Sequence, residues 1–156
     1  MTSSLETWTP PTEDRIRAHS SPEANRRIDD QTRGALDVAA LSPEAAMMRL
    51  AELDREWDLD RAVMLSFGVL GALTARAAMR SLRARGRLGG WGLLFWAQVG
   101  FLVHHAVRGW CPPVPVLRRL GFRSSQEISA ERCAIESSLA ALDPVTDATV
   151  IVVEAE

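Results

Sequence analysis

A chain of 156 residues with two cysteines 22 positions apart has room for one domain of ordinary size and carries neither a CxxC site nor a disulfide framework. Its net charge of −2 hides a segregation: residues 1–60 hold 13 acids and 7 arginines, residues 61–126 hold 10 arginines and no acid, and residues 127–156 hold 7 acids and one arginine. An acid-free middle that also contains every long apolar run fits a segment meeting anionic lipid head groups, the alternative being the basic face of a soluble helical bundle.

The first twenty residues, MTSSLETWTPPTEDRIRAHS, place acids and prolines where a signal peptide needs an apolar core, so no cleaved export signal is expected. Residues 1–22 show no periodicity and include Pro10, Pro11 and Pro22, which predicts a disordered tail. From Pro22 to about Ala40, Ile28, Leu36 and Ala39 give a weak helical pattern, at most a surface helix. Residues 1–41 are thus expected to be polar and largely disordered.

A better start signal follows. Ser42 can cap, Pro43 suits the first helical position and Glu44 favours the positive end of the helix dipole. Met47, Leu50, Leu53 and Trp57 then recur at helical spacing, predicting an amphipathic helix with Arg49, Glu52, Arg55 and Glu56 turned largely away from the apolar stripe. No breaker is evident before AVMLSFGVLGALTA, residues 62–75, a charge-free run of fourteen residues. Such a run rises about 21 Å, short of a bilayer core of about 30 Å. Arginines snorkelling outward at its ends, Arg61 and Arg76, and the continuation through Ala77, Ala78 and Met79 lengthen it. Gly68, Gly71, Ala72 and Ala75 supply small residues through which another helix could approach.

Arg76, Arg80, Arg83 and Arg87 stand four, three and four apart, one basic stripe if the helix continues. Without interleaved aromatics or a recognition motif, the stripe predicts contact with lipid head groups and no nucleic-acid partner. The second apolar run, LGGWGLLFWAQVGFLVHHAV, spans residues 88–107 without a formal charge. At about 1.5 Å per residue it matches one bilayer core, and Trp91 and Trp110 lie near its ends as an aromatic belt would place them. The two runs predict a two-helix membrane hairpin. Five arginines between the runs against seven on the flanks leave the positive-inside count nearly balanced, and the expected topology, with both termini in the cytoplasm, follows from the acidic tails and the missing export signal.

Pro112, Pro113 and Pro115 must end the second apolar helix near Cys111. Ser124 with Glu127 forms a capping box for a last helix, along which Ile128, Ile135, Leu139 and Leu142 fall within a narrow arc and Cys133 lies off it. The closing ATVIVVEAE could form a strand if something paired with it.

Here the residues carry a resemblance. ELDREWDLDRA, and then FLVHHAVRGWCPPVPVLRRLGFRSSQEISAER, resemble the YgaP-like transmembrane-domain family of bacterial inner-membrane proteins, over roughly residues 44–136. The resemblance implies two short membrane helices followed by a glycine/cysteine/proline turn, a homodimer, and a place in the bacterial inner membrane. Some members are fused to rhodanese, a sulfur-transfer domain. These 156 residues contain none, so sulfurtransferase activity is not carried over. The arginine-rich inter-helix segment is longer than the family's usual turn.

Three residues invite a chemical reading. His104 and His105 are adjacent, so on a helix they point about 100° apart and cannot share a metal with ordinary geometry. Interfacial histidines hydrogen-bonded to backbone or head groups are the favoured reading. Cys111 could present a thiolate to haem iron or accept a persulfide if Arg108, Arg118 and Arg119 converge on it and lower its pKa; otherwise it is a small apolar residue at a turn. No carboxylate in the acid-free middle is available to orient a histidine, which makes a catalytic reading poor.

The sequence therefore predicts an all-α protein: a polar segment over 1–41, an amphipathic helix with a membrane hairpin and Cys-Pro-Pro turn over 42–126, and an amphipathic helix with an acidic tail over 127–156. Its expected role is a membrane-anchoring or interaction module without catalytic residues, metal or cofactor, self-associating and meeting an unidentified protein partner. Head-group contact is assigned to Arg76, Arg80, Arg83, Arg87, Arg108, Arg118 and Arg119. The alternatives are a redox or sulfur-relay accessory using Cys111, with His104 or His105, and a soluble helical bundle.

Overall fold

The computed structural model describes residues 8–142, and these are all-α, with no strand among them. The helices are α1 (Arg15–Ala18), α2 (Pro22–Ala39), α3 (Pro43–Leu53), α4 (Leu59–Arg85), α5 (Gly89–Arg108), α6 (Val114–Arg119) and α7 (Ser125–Ala140). They divide into two compact units, one formed by the described residues up to Thr12 with Arg26–Glu56 and those from Gln126 on, the other by Glu13–Asn25 and Trp57–Ser125. The strand considered for ATVIVVEAE lies outside the described residues.

In the first unit, Leu36, Ala39, Ala46, Leu53, Ile128 and Ile135 form a buried cluster, with Trp8, Leu50 and Leu139 packed against it. The helix over Pro22–Ala39 is more than the expected surface helix: Ile28, Leu36 and Ala39 are all buried. Thr32 and Asp29 are buried on it too, and these polar residues are what weakened its apolar periodicity. Helix α3 begins as expected, the Ser42 hydroxyl accepting from the Ala45 amide at 3.1 Å. Its buried stripe is Ala46, Leu50 and Leu53, however, while Met47 stays exposed. The stripe turns because Arg49 is drawn inward. Its Nε and Nη2 donate to the two carboxylate oxygens of fully buried Glu131 at 2.7 and 3.3 Å, and Nη1 donates to Glu52 at 2.9 Å. Burial alone would lower the guanidinium pKa, but these carboxylates, with Glu56, hold it above the ordinary arginine value. On α7, Cys133 is exposed, and Arg132 donates to Asp54 at 2.6 Å.

The expected unbroken run from the amphipathic helix into the apolar one is also corrected. Helix α3 ends at Leu53, and Asp58 restarts the chain in an extended conformation, its carboxylate accepting from the Arg61 amide at 2.7 Å. Aspartate is a favoured cap because its carboxylate satisfies an amide that has no intrahelical acceptor. Trp57 falls in this break and is half exposed.

In the second unit, α4 and α5 form an antiparallel helical hairpin. Gln98 donates to the Thr74 hydroxyl at 3.3 Å midway along it, and His105 meets Asp60 at 3.0 Å where it opens. Gly86 and Gly89, both left-handed, turn the chain at the tip, the Gly86 amide donating to the Leu82 carbonyl at 2.8 Å. Among the described residues one helix is long and apolar enough to cross a membrane, the 27-residue α4. The second run, also expected to span, forms the 20-residue α5 and is not among the helices that meet that measure.

At the open end of the hairpin, Ile16, Leu59, Val63, Cys111 and Val114 form a second buried cluster. This contradicts a disordered tail reaching to residue 22. Asp14, itself buried, accepts from the Ile16 amide at 2.7 Å and receives the Ser124 hydroxyl, while Arg15 donates to the Val107 carbonyl at 3.0 Å. Gly109 allows the approach: a Cβ there would sit 2.8 Å from that of Arg15.

Candidate functional site

The chemistry-bearing residues of the second unit collect at the two ends of the hairpin. At the base, the helix stop predicted from the prolines occurs at Gly109, with φ of 73°, just before Cys111. The two histidines, one position apart, diverge. His104 is exposed, its Nδ1–H donating to the Trp110 carbonyl at 2.9 Å, with its ring edge-on to the indole at 5.7 Å. His105 is buried, its Nε2 facing the Asp60 carboxylate at 3.0 Å, and its Nδ1 is enclosed without a hydrogen-bond partner.

Asp60 is the residue that sequence reasoning missed. It is the last acid before the acid-free stretch, and closure of the hairpin carries it to a histidine 45 positions away. Thus one carboxylate does orient a histidine here, contrary to expectation. The signal lay in the hairpin itself: two helices joined by a tight turn bring the start of one opposite the end of the other.

Cys111 is fully buried in the apolar cluster. Its thiol pKa is raised, first by burial and then by the Asp60 carboxylate, with a hydrogen bond from the Val114 backbone acting the other way. The expected convergence of Arg108, Arg118 and Arg119 does not lower it. Arg108 and Arg119 are exposed, and Arg118 donates to the Asn25 side chain at 2.6 Å and the Phe122 carbonyl at 3.3 Å. Arg118 is also fully buried, which removes it from the head-group contacts expected of it. Its guanidinium ties α6 to the first turn of α2, a tertiary contact across 93 positions. Among the described residues, no group of three or more histidine, cysteine, aspartate or glutamate side chains could hold a metal ion.

At the tip the picture is different. Arg76, Arg80, Arg83, Arg85 and Arg87 are all exposed, and among the described residues none of them is held in an ion pair or hydrogen bond. Between tip and base, the hairpin's large apolar side chains face outward. Met64, Leu65, Val69, Leu70 and Leu73 of α4 are half or more exposed, as are Trp91, Leu93, Trp96, Val103 and Val107 of α5. Only 22% of the most apolar 18-residue stretch of α4 is buried. Trp57 and Trp110 lie near the base, and Trp91 and Trp96 toward the tip.

No family model, curated protein or solved structure matches the chain.

Proposed function

We propose that the chain is an integral membrane protein of the bacterial inner membrane, serving as an anchoring or interaction module through the hairpin α4–α5. The observation that carries this reading is the outward exposure of the hairpin's apolar side chains on both helices. Water would penalise that much apolar surface by about 25 cal/mol per Å², whereas hydrocarbon would not. Helix α4 rises about 40 Å and α5 about 30 Å, enough for both to reach across a bilayer core if the longer helix carries its last arginine-bearing turns into the head groups. Tryptophans toward both ends agree with this placement. A soluble monomeric bundle would have to bury these faces. Self-association, which the YgaP-like resemblance implies, would use the open space beside Gly68 and Gly71, where an added Cβ meets nothing within 4 Å.

Alkaline carbonate extraction of membranes tests the reading. The full chain is expected to remain in the pellet; its release into the supernatant would overturn membrane integration. A redox or sulfur-relay role for Cys111 finds no support in a buried thiol of raised pKa.

A further inference from the structure

Between the last turns of α4 and the first turn of α5 lies a cleft of about 420 Å³ lined by Ser81, Arg85, Arg87, Gly89, Gly90 and Trp91. Four features of it point to an oxyanion. Helix α5 starts with Leu88 at its cap position and no side-chain cap, so its first amides have no acceptor from the helix and carry the positive end of its dipole. Gly90 leaves that backbone open, with nothing within 4 Å of where a Cβ would stand. Arg85 and Arg87 supply guanidiniums unopposed by any acid between residues 61 and 126. The fourth feature is independent of charge: Ser81 is only 5% exposed, and its hydroxyl lines the cleft without engaging in a hydrogen bond among the described residues. The backbone of Gly89 passes so close that a Cβ there would sit 3.2 Å from the Ser81 oxygen, and φ of 62° at Gly89 already disfavours a side chain.

We propose that this cleft binds the phosphate of an anionic phospholipid, with the Ser81 hydroxyl, the Arg85 and Arg87 guanidiniums and the first amides of α5 as donors. The proposal rests on the membrane reading above and narrows it from a diffuse basic stripe to one site. Arg85, which stands off the four-three-four stripe, becomes a ligand, while Arg76 and Arg80 lie outside the cleft. Helix N-termini and arginine forks are efficient phosphate donors because both present N–H groups in fixed geometry. A lipid is favoured over free phosphate because Trp91 and Leu94 form an exposed apolar rim continuous with Leu93 and Trp96, where the glycerol and acyl carbons would lie.

The test uses the full chain in neutral detergent, titrated with short-chain phosphatidylglycerol, and follows Trp91 emission as the difference between the parent and Trp91→Phe. A saturable change is expected, with no comparable change on adding phosphatidylcholine. Replacing both guanidiniums (Arg85→Gln with Arg87→Gln) is expected to weaken binding by about tenfold or more, and Ser81→Ala by about fivefold. The control pair Arg76→Gln with Arg80→Gln, which removes the same charge outside the cleft, should leave the affinity within about twofold. Equal weakening by the two pairs would mean diffuse attraction and would overturn the site. So would an absent or non-saturable response. If inorganic phosphate saturates the parent as tightly as the lipid does, the lipid assignment is wrong. Carbonate extraction of the same proteins keeps the two ideas apart: retention with a failed titration removes the site and spares the membrane reading, while release removes the reading and with it a lipid as the occupant.

Discussion

The unit built around Arg49 and the hairpin α4–α5 treat the same kinds of residue in opposite ways. In the first, apolar side chains are gathered into a cluster and Arg49 and Arg132 are met by carboxylates, one of them fully buried. In the hairpin, leucines, valines and tryptophans face outward and five arginines at the tip have no acid to meet. Under the proposed membrane reading, the hairpin is completed by something outside the chain that is apolar along its sides and anionic at its tip, as a lipid leaflet is.

The sharpest way to break that contrast is to place one charge on each region. Leu70 is half exposed near the middle of the apolar part of α4. On a water-facing surface Leu70→Asp would change stability by no more than about 0.5 kcal/mol. At the centre of a membrane helix the same charge costs roughly 3 kcal/mol, and the variant is expected to lose carbonate-resistant retention. Met47→Asp, at an exposed position in the other unit, is expected to leave retention unchanged.

Next in size is the buried carboxylate. Removing the partner of a buried ion leaves an uncompensated charge, so Arg49→Met is expected to destabilise the first unit by about 3 kcal/mol, the low end of such losses because Arg49 is partly exposed. Hydrogen exchange on α3 and α7 is the measurement, and adding Glu131→Leu should restore most of the protection. The matching change at the tip, Arg83→Met, should alter exchange very little. If the two arginine replacements weaken their regions alike, the contrast between paired and unpaired charge is false.

A smaller effect is expected at the hairpin base. Asp60→Ala would strip His105 of its carboxylate and leave both ring nitrogens of a buried imidazole unmatched, at a cost of about 1 kcal/mol given the partial exposure of Asp60. Faster amide exchange confined to the last turn of α5 and the first of α4 would register it.

What the sequence made legible was local. The cap at Ser42, the stop before the prolines, the start of α7 and the two apolar runs all depend on residues within a few positions of one another, and each is found within a few residues of its expected place. What it concealed was long-range or polar. Asp14 and Ile16 look like parts of a tail because their partners, Ser124 and the Cys111 cluster, lie some hundred positions on. Glu131 and Arg118 are buried charges and Arg49 is drawn partly inward, all of which a reading of hydrophobic period assigns to the surface. The break after Leu53 depended on recognising Asp58 as a cap in a stretch already rich in acid. At the candidate sites the divergence of the histidines could be read from adjacency alone, whereas Asp60 and the Ser81 cleft require the hairpin to close.

The two cysteines give the finest version of the same comparison. Cys133, exposed on α7, is expected to react with a thiol reagent in the folded protein at a rate near that of a free cysteine. Cys111 is expected to react only when its cluster opens, because it has no accessible surface and its raised pKa leaves little thiolate near neutral pH. The direction of that shift also fixes a pH dependence. Since the folded thiol holds its proton more tightly than the unfolded one, its contribution to stability is complete below the ordinary thiol pKa and is lost as pH rises through the folded value. Cys111→Ala, which cannot ionise, should therefore flatten the alkaline limb of the unfolding curve, while Cys133→Ala leaves it unchanged. Equal labelling of both cysteines in the native state would show that the cluster at the hairpin base is open, and would withdraw the packing assigned to Ile16, Leu59 and Val114 along with it.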